Sequence, residues 1–125
     1  MSILVTGGAG YIGSHTCVKL LEAGHDIVVI DNLSNSSREA VRRVGKLTGR
    51  EFPFYCEDLR DREALERIFR AHPISGAVHF AGYKAVGESV AEPLKYYENN
   101  LISTISLLNA MGEHGVKKLV FSSSA

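Results

Sequence analysis

Short apolar runs rich in β-branched residues alternate along the chain with longer segments whose apolar residues recur at helical spacing. Most of the runs are apolar throughout rather than alternately polar, which is typical of strands buried on both faces of a parallel sheet. They predict five strands, at residues 3–6, 27–30, 52–56, 77–80 and 119–122. The alternation predicts the α/β class, with a doubly wound parallel sheet and right-handed crossovers.

Four helices are predicted between these strands. In the first, Gly24 follows the last apolar position as a stop, and in the second Ser36 and Glu39 form a capping-box pattern. Asp61 is the expected N-cap of the third helix, which ends at the proline that follows His72. The expected apolar positions are Ile12, Thr16, Leu20 and Ala23 in the first helix, Ala40, Val41, Val44 and Leu47 in the second, and Leu65, Ile68 and Phe69 in the third.

The fourth and longest helix begins near Pro93, which suits a first turn, and Gly115 is its expected stop. One side of it carries a single apolar stripe, made of Leu94, Tyr97, Leu101, Ile105, Leu108 and Met111. We expect part of this helix and of the fifth strand to lack cover in a chain of this length, and therefore predict weak stability or self-association.

Composition narrows the class of protein. The 125 residues suit one domain, and 14 Lys and Arg balance 14 Asp and Glu, which argues against a general electrostatic grip on nucleic acid or on an anionic membrane. No apolar run reaches the roughly 20 residues of a membrane span, and the N-terminus does not resemble a signal peptide, so we expect a cytoplasmic protein. Cys17 and Cys56 are interpreted as reduced packing residues. The five histidines show no metal-ligand spacing, and no metal is expected.

A glycine-rich turn lies where the first strand meets the first helix. Gly7, Gly10 and Gly13 form the pattern G-x-x-G-x-x-G, which would give a tight turn, a close approach of backbone to a pyrophosphate, and close packing of the helix. Asp31 follows the second strand, where a carboxylate can accept both hydroxyls of an adenosine ribose and repel a 2′-phosphate. The pattern predicts a Rossmann-type domain that binds NAD in preference to NADP, although Asp31 could instead simply form a turn.

With these motifs, the chain resembles the extended short-chain dehydrogenase/reductase family, and within it the enzymes that epimerise nucleotide sugars. The resemblance covers the whole chain and rests on TGGAGYIGSHT at 6–16, DNLSNS at 31–36, HFAGYKAVGES at 79–89 and FSSSA at 121–125. It implies an NAD-dependent interconversion of UDP-glucose and UDP-galactose through a 4-keto-hexose, a step of galactose metabolism. It also implies a homodimer of the full-length protein through the long helix.

The resemblance implies a set of cofactor contacts beyond the glycines and Asp31. Backbone N–H groups of Tyr11 and Ile12 would meet the pyrophosphate. The adenosine would be lined by Asn32, Asn35 and Ser36, and its adenine met by Asp58 and Leu59. The backbone at Phe80, Ala81 and Gly82 would lie against the cofactor, with Lys84 on a phosphate and Asn99 near the nicotinamide ribose. Ser124 would be catalytic, with a hydrogen bond to the sugar 4-hydroxyl.

Each of these roles has a plainer alternative. Tyr11 and Ile12 could be an ordinary first helical turn, and Ser36 could be only a helix cap. Asp58 or Asp61 could merely cap the third helix; Asp61 suits that cap, which would leave Asp58 free for the ligand. Lys84 could be a solvated loop residue, and Ser124 a turn residue.

In this family the catalytic Tyr and Lys belong to a Y-x-x-x-K helix after the fifth strand, and no tyrosine of the chain has a lysine four positions later. We therefore interpret residues 1–125 as an incomplete NAD-binding domain of a longer protein, inactive alone. Two alternatives stay open. A 4,6-dehydratase of the same fold would carry an acid near the end of strand five, where 122–125 has none. A non-catalytic NAD-binding module would need neither the catalytic Tyr nor the Lys.

Overall fold

The chain folds around one five-stranded parallel sheet with the strand order β3-β2-β1-β4-β5. Our computed structural model describes residues 2–8, 11–32, 38–80 and 93–121, without the side chains of 11, 12 and 93–100. The strands are β1 Ser2–Thr6, β2 Asp26–Ile30, β3 Phe54–Tyr55, β4 Ile74–His79 and β5 Lys118–Phe121. The helices are α1 Tyr11–Glu22, α2 Arg38–Thr48, α3 Arg62–Ala71 and α4 Pro93–Glu113. The predicted doubly wound α/β fold is confirmed.

Two strands differ in length from the prediction by more than one residue. β3 is limited to Phe54 and Tyr55, because Pro53 has no N–H to donate to the ladder. The carbonyl of Pro53 still accepts a hydrogen bond from the N–H of Val29, at 3.0 Å. β4 begins at Ile74, earlier than its apolar run, because backbone pairing with β1 continues through Gly76 whatever the side chains are.

Both faces of the sheet are buried, as the uniformly apolar runs predict. On one face Leu4, Val28 and Ile30 pack with residues of α3 and α4. On the other face Val5 and Val29 pack with residues of α1 and α2. Neighbouring residues of one strand therefore point into different cores. Strands β1 to β4 contribute to both cores, whereas β5 contributes only Leu119, to the first.

The helix ends largely follow the predicted signals. The carboxylate of Asp61 accepts hydrogen bonds from two N–H groups in the first turn of α3, and is its N-cap. Gly24 and Gly115 have positive φ and end α1 and α4. The capping role of Ser36 lies outside the described residues. In α2 Val44 is buried, whereas Leu47 is exposed, so its predicted burial is wrong.

The long helix α4 carries two apolar faces rather than the single predicted stripe. Leu107, Ala110 and Met111 are buried against the sheet, so Met111 does not share a face with the exposed residues. Leu101, Ile102, Ile105 and Leu108 are exposed, and we call these four the outer stripe of α4. Val120 and Phe121 of β5 are also more than half exposed. The predicted uncovered apolar surface is therefore present on both elements.

Candidate functional site

The turn between β1 and α1 has a shape that only glycine permits at two points. Gly7 has φ +73°, in the left-handed region, and its N–H donates to the carbonyl of Ile30 at 2.8 Å. A β-carbon on Gly13 would collide with the backbone carbonyl of Gly7. The first turn of α1 therefore lies directly against the end of β1, as the glycine pattern predicts.

Gly8 is a further requirement that the sequence analysis missed. It is buried, and a β-carbon there would lie 2.6 Å from Cγ1 of Val29 on the neighbouring strand. The signal in the sequence was the pair of glycines at 7 and 8. Gly8 is not part of the G-x-x-G-x-x-G spacing, so it needs a reason of its own. The turn is thus wedged between β2 and the start of α1.

Several predicted site residues follow strands that end at one edge of the sheet. Thr6 is in register with Ile30 on one side and with His79 on the other. The next residues extend the ladder, because Asp31 N–H donates to the carbonyl of Tyr55 at 3.1 Å and Phe80 N–H donates to that of Thr6 at 2.9 Å. Gly7, Asp31 and Phe80 therefore lie side by side at the carboxyl edge.

This edge is also where the strand order reverses. The chain moves from β1 to β2 and β3 on one side and then returns to β4 and β5 on the other. Such a switch point leaves a crevice beyond the carboxyl ends of the central strands, and ligands of doubly wound folds bind there. The glycine turn after β1 and Phe80 after β4 border this crevice.

Asp58 and Asn32 form a polar group beside β2. Asp58 forms a bidentate ion pair with Arg60, with Nη2 to Oδ2 at 2.6 Å and Nε to Oδ1 at 3.0 Å. The hydrogen bond from Arg60, helped by the amide of Asn32, holds the pKa of Asp58 below its usual value. Asp61 does cap α3, as expected, so Asp58 is not needed for the cap. Asp58 pairs instead with Arg60, and its contact with the adenine stays a prediction.

A polar cluster underlies the crevice. The imidazole of His79 is 1% exposed, and its Nδ1 is hydrogen-bonded to Oγ1 of Thr6 at 2.6 Å. Its Nε2 is 3.2 Å from Oγ1 of Thr104 on α4. From the sequence, His79 was one of five histidines without metal-ligand spacing, and Thr104 had no predicted role. We call Thr6, His79 and Thr104 the buried polar triad.

Two predicted cofactor residues have side chains in the core. Leu59 is buried in the cluster under α3 and α4, and Phe80 is buried in the cluster under α1 and α2. Only their backbone groups can face a ligand at the edge. For Phe80 this agrees with the backbone role implied by the resemblance.

The remaining predicted contacts divide into two sets. The backbone of Tyr11 and Ile12 forms the first turn of α1, and that of Asn99 lies in the first half of α4. Their side chains are not described. The other predicted site residues lie outside the described residues: Gly10, Asn35, Ser36, Ala81, Gly82, Lys84 and Ser124.

The two cysteines differ in environment. Cys17 is buried in the core, and burial raises the pKa of its thiol to about 12. Cys56 is exposed, so its interpretation as a packing residue is wrong. Cys56 follows β3, which is an edge strand of the sheet.

One cluster with metal-ligand atoms occurs among the described residues. Ligand atoms of Glu66, Glu113 and His114 lie within 4.8 Å of one another. His114 Nε2 is 2.8 Å from Oε2 of Glu66, and Arg70 pairs with the same carboxylate at 3.0 Å. These contacts account for the cluster as a polar link between α3 and α4.

Among the described helices, none is both long and apolar enough to cross a membrane.

A model of the NAD dependent epimerase/dehydratase family matches residues 3–125. The chain belongs to this family. It is 64% identical over 125 residues to a UDP-glucose 4-epimerase of Bacillus subtilis, and 58% identical to one of Erwinia amylovora. Each match covers 100% of this chain but only 37% of the length of the relative.

Solved structures give the same relationship. The crystal structure of UDP-glucose 4-epimerase from Bifidobacterium longum in complex with NAD+ and UDP is 51% identical, with a TM-score of 0.95, over 100% of this chain and 37% of that one. The enzyme from Stenotrophomonas maltophila, solved with NAD and formylated UDP-arabinopyranose, is 49% identical, with a TM-score of 0.94 over the same shares. The resemblance to nucleotide-sugar epimerases of the extended family is confirmed.

Proposed function

We propose that this chain supplies the NAD-binding part of a UDP-glucose 4-epimerase, which interconverts UDP-glucose and UDP-galactose in the galactose metabolism of the cytoplasm. The observation that carries the proposal is the glycine turn, whose close contact between Gly13 and Gly7 places the N-terminus of α1 at the end of β1, where helix N–H groups could bind a diphosphate. The 64% identity to the Bacillus subtilis enzyme over the whole chain supports the same function.

The residues of the carboxyl edge fit a dinucleotide. Gly7 and Gly13 allow the first turn of α1 to lie against the end of β1, and the partial positive charge of this helix N-terminus would favour a pyrophosphate. Asp31, next to the turn and one strand further out, would accept the two hydroxyls of the adenosine ribose. Asn32 and Asp58 form the adjoining polar group, on the side where the adenine would lie.

NAD, when bound, would accept hydride from C4 of the sugar and return it to the other face. The chain's own share of this chemistry is to hold the cofactor against the ends of β1 and β4. By resemblance, Ser124 would hydrogen-bond the sugar 4-hydroxyl and help its proton leave. The base would be a tyrosine of the Y-x-x-x-K type, which none of the five tyrosines in residues 1–125 satisfies.

We also propose that the protein acts as a homodimer through α4. The outer stripe of that helix is an exposed apolar surface. Burying such a surface between two copies would stabilise a dimer, since each leucine removed from water contributes roughly 1.5–3 kcal/mol.

Two measurements test the proposed function. Isothermal titration of the purified protein with NAD should show saturable binding that a Gly13→Val substitution abolishes. A coupled assay that detects UDP-glucose formed from UDP-galactose should show turnover by the full-length protein and none by residues 1–125 alone. Folded protein that gives no heat with NAD would contradict the proposal.

A further inference from the structure

The buried polar triad joins three elements below the crevice. Thr6 is the last residue of β1, His79 is the last residue of β4, and Thr104 lies in the middle of α4. Thr6 is fully buried and His79 is 1% exposed, so the ring has been removed from water almost completely. Both ring nitrogens have a hydroxyl partner, at 2.6 and 3.2 Å.

Stability alone does not account for a histidine at this position. A satisfied buried hydrogen bond contributes little net stability, because the same groups are hydrogen-bonded to water in the unfolded chain. An apolar side chain of similar size would serve the core as well, and the residues on either side in the cores are apolar. What a satisfied polar network adds is a fixed arrangement of the groups it joins.

The arrangement that the triad fixes is that of the proposed cofactor site. Thr6 immediately precedes Gly7, and His79 immediately precedes Phe80. The hydroxyl of Thr6 also accepts a hydrogen bond from the N–H of Phe80, at 3.1 Å. The turn after β1 and the backbone after β4 are therefore held by one hydroxyl, and that hydroxyl is held by the imidazole.

The imidazole then sets the distance between this edge and α4. Its two nitrogens are held at a fixed separation in a rigid ring and their hydrogen bonds point away from each other, so the separation of the Thr6 and Thr104 hydroxyls cannot vary much. A flexible or apolar side chain would leave α4 free to shift relative to the glycine turn. The ring also lies against Phe121 of β5, with centroids 5.4 Å apart, which limits its rotation.

We propose that His79 is a positioning residue for the dinucleotide: through Thr6 and Thr104 it fixes the glycine turn and Phe80 relative to α4. This inference rests on the proposed NAD binding. If so, the loss of either hydroxyl contact raises the dissociation constant for NAD more than does another substitution that lowers the free energy of unfolding by the same amount.

Three variants of the purified protein test this role. His79→Leu removes both contacts, Thr104→Val removes only the contact with α4 while preserving shape, and Leu107→Ala is the control. Leu107 is fully buried on the same helix and has no part in the triad. NAD affinity is measured by calorimetry where circular dichroism shows each variant to be folded, and stability by urea unfolding.

We expect the dissociation constant for NAD to rise about tenfold or more in His79→Leu and about threefold or more in Thr104→Val. Leu107→Ala should lose more stability than Thr104→Val and keep the affinity of the unsubstituted protein. Unchanged affinity in His79→Leu, or losses that follow stability across all three variants, would overturn the inference. Failure of the unsubstituted protein to bind NAD would instead contradict the proposed function.

A spectroscopic readout separates positioning from mere packing. The ¹⁵N resonances of the His79 ring should shift when NAD is added, because the hydroxyls that contact it adjoin the site. His72 is the matched control, since it precedes β4 at the opposite end and is hydrogen-bonded to Tyr55 at 2.8 Å. A His79 signal as insensitive to NAD as that of His72 would count against the role.

Discussion

Asp58 and Arg60 form a bidentate ion pair just beyond β3, with their closest atoms 2.6 Å apart. The pairing lowers the pKa of Asp58, so its stabilising contribution is present above the unfolded value of about 3.9 and is lost as pH falls through the lower folded value. Arg60→Gln removes the main cause of that shift. We therefore expect the free energy of unfolding of Arg60→Gln to approach that of the unsubstituted protein at the acidic end of the range.

The measurement is urea unfolding of both proteins between about pH 2.5 and 6. The difference between them should be largest above about pH 4 and should shrink towards the acid end. Arg42→Gln is the control, because Arg42 lies 3.8 Å from Glu39 on an exposed face of α2. A constant difference at every pH would show that Arg60 does not act through Asp58.

Gly13 should not tolerate even a methyl group. In Gly13→Ala the new β-carbon meets the backbone carbonyl of Gly7, which cannot move without disturbing the turn. We expect destabilisation of about 1–3 kcal/mol and a large loss of NAD affinity. Gly112→Ala is the matched control, because a β-carbon at that helical glycine meets nothing within 4 Å. It should stabilise the protein by up to about 1 kcal/mol. Equal effects at both positions would contradict the described turn.

Asp31 should set the preference for NAD over NADP. Replacing it by Asn removes the charge that repels a 2′-phosphate. We therefore expect the dissociation constant for NADP divided by that for NAD to fall about tenfold or more. Asp26→Asn is the control, since Asp26 lies at the other end of β2 and pairs with Arg50 at 2.9 Å. Titration of each variant with both cofactors gives the ratio. Equal affinities of the unsubstituted protein for both cofactors would remove the role.

The two thiols should react differently in the native protein. Cys56 is exposed, whereas Cys17 is buried with its pKa raised to about 12, so its thiol stays protonated near neutral pH. With an aromatic disulfide reagent we expect rapid reaction at Cys56 alone, and reaction at both after denaturation. Cys56→Ser should abolish the native signal. Rapid native modification of Cys17, located by mass spectrometry, would contradict the packing of α1.

Adjacent leucines on α4 test which of its faces is covered. Leu107 is 0% exposed and Leu108 is 47% exposed. In residues 1–125, Leu107→Ala should cost about 2–5 kcal/mol of unfolding free energy, and Leu108→Ala under about 1 kcal/mol. Sedimentation should also show weaker self-association for Leu108→Ala. Similar costs at both positions would show that the rotation of α4 about its axis is wrong.

The sheet was predictable because local sequence patterns report burial directly. Uninterrupted apolar runs such as that at β2 occur where both faces of a strand are covered, and Asp61 signals a helix start through its own hydrogen bonds. Patterns of this kind need no knowledge of distant residues. They predicted the order of the elements more accurately than the residues at which the elements begin and end, as the later start of β3, after Pro53, shows.

Features that depend on contacts distant in sequence were not predictable. Which face of α4 meets the sheet depends on how the helix rotates over β1 and β4, and the spacing of Leu101, Leu108 and Met111 cannot reveal that. Likewise His79 becomes part of the triad only because folding brings Thr6 and Thr104 to its two nitrogens. The ion pair of Asp58 with Arg60, although local, was also not predicted, because an Asp and an Arg two residues apart meet only in some backbone conformations.

The central position of β1 has a consequence for how the chain folds. Thr6 and His79, which adjoin across the middle of the sheet, are 73 residues apart in sequence. Contacts of such long separation require the closure of a large loop and slow the folding of a domain. During synthesis, β1 can pair early with β2, but it must wait for β4 to leave the ribosome before its second edge is covered. Until then that edge is open to wrong partners, and chaperones that bind extended apolar segments would find their target there.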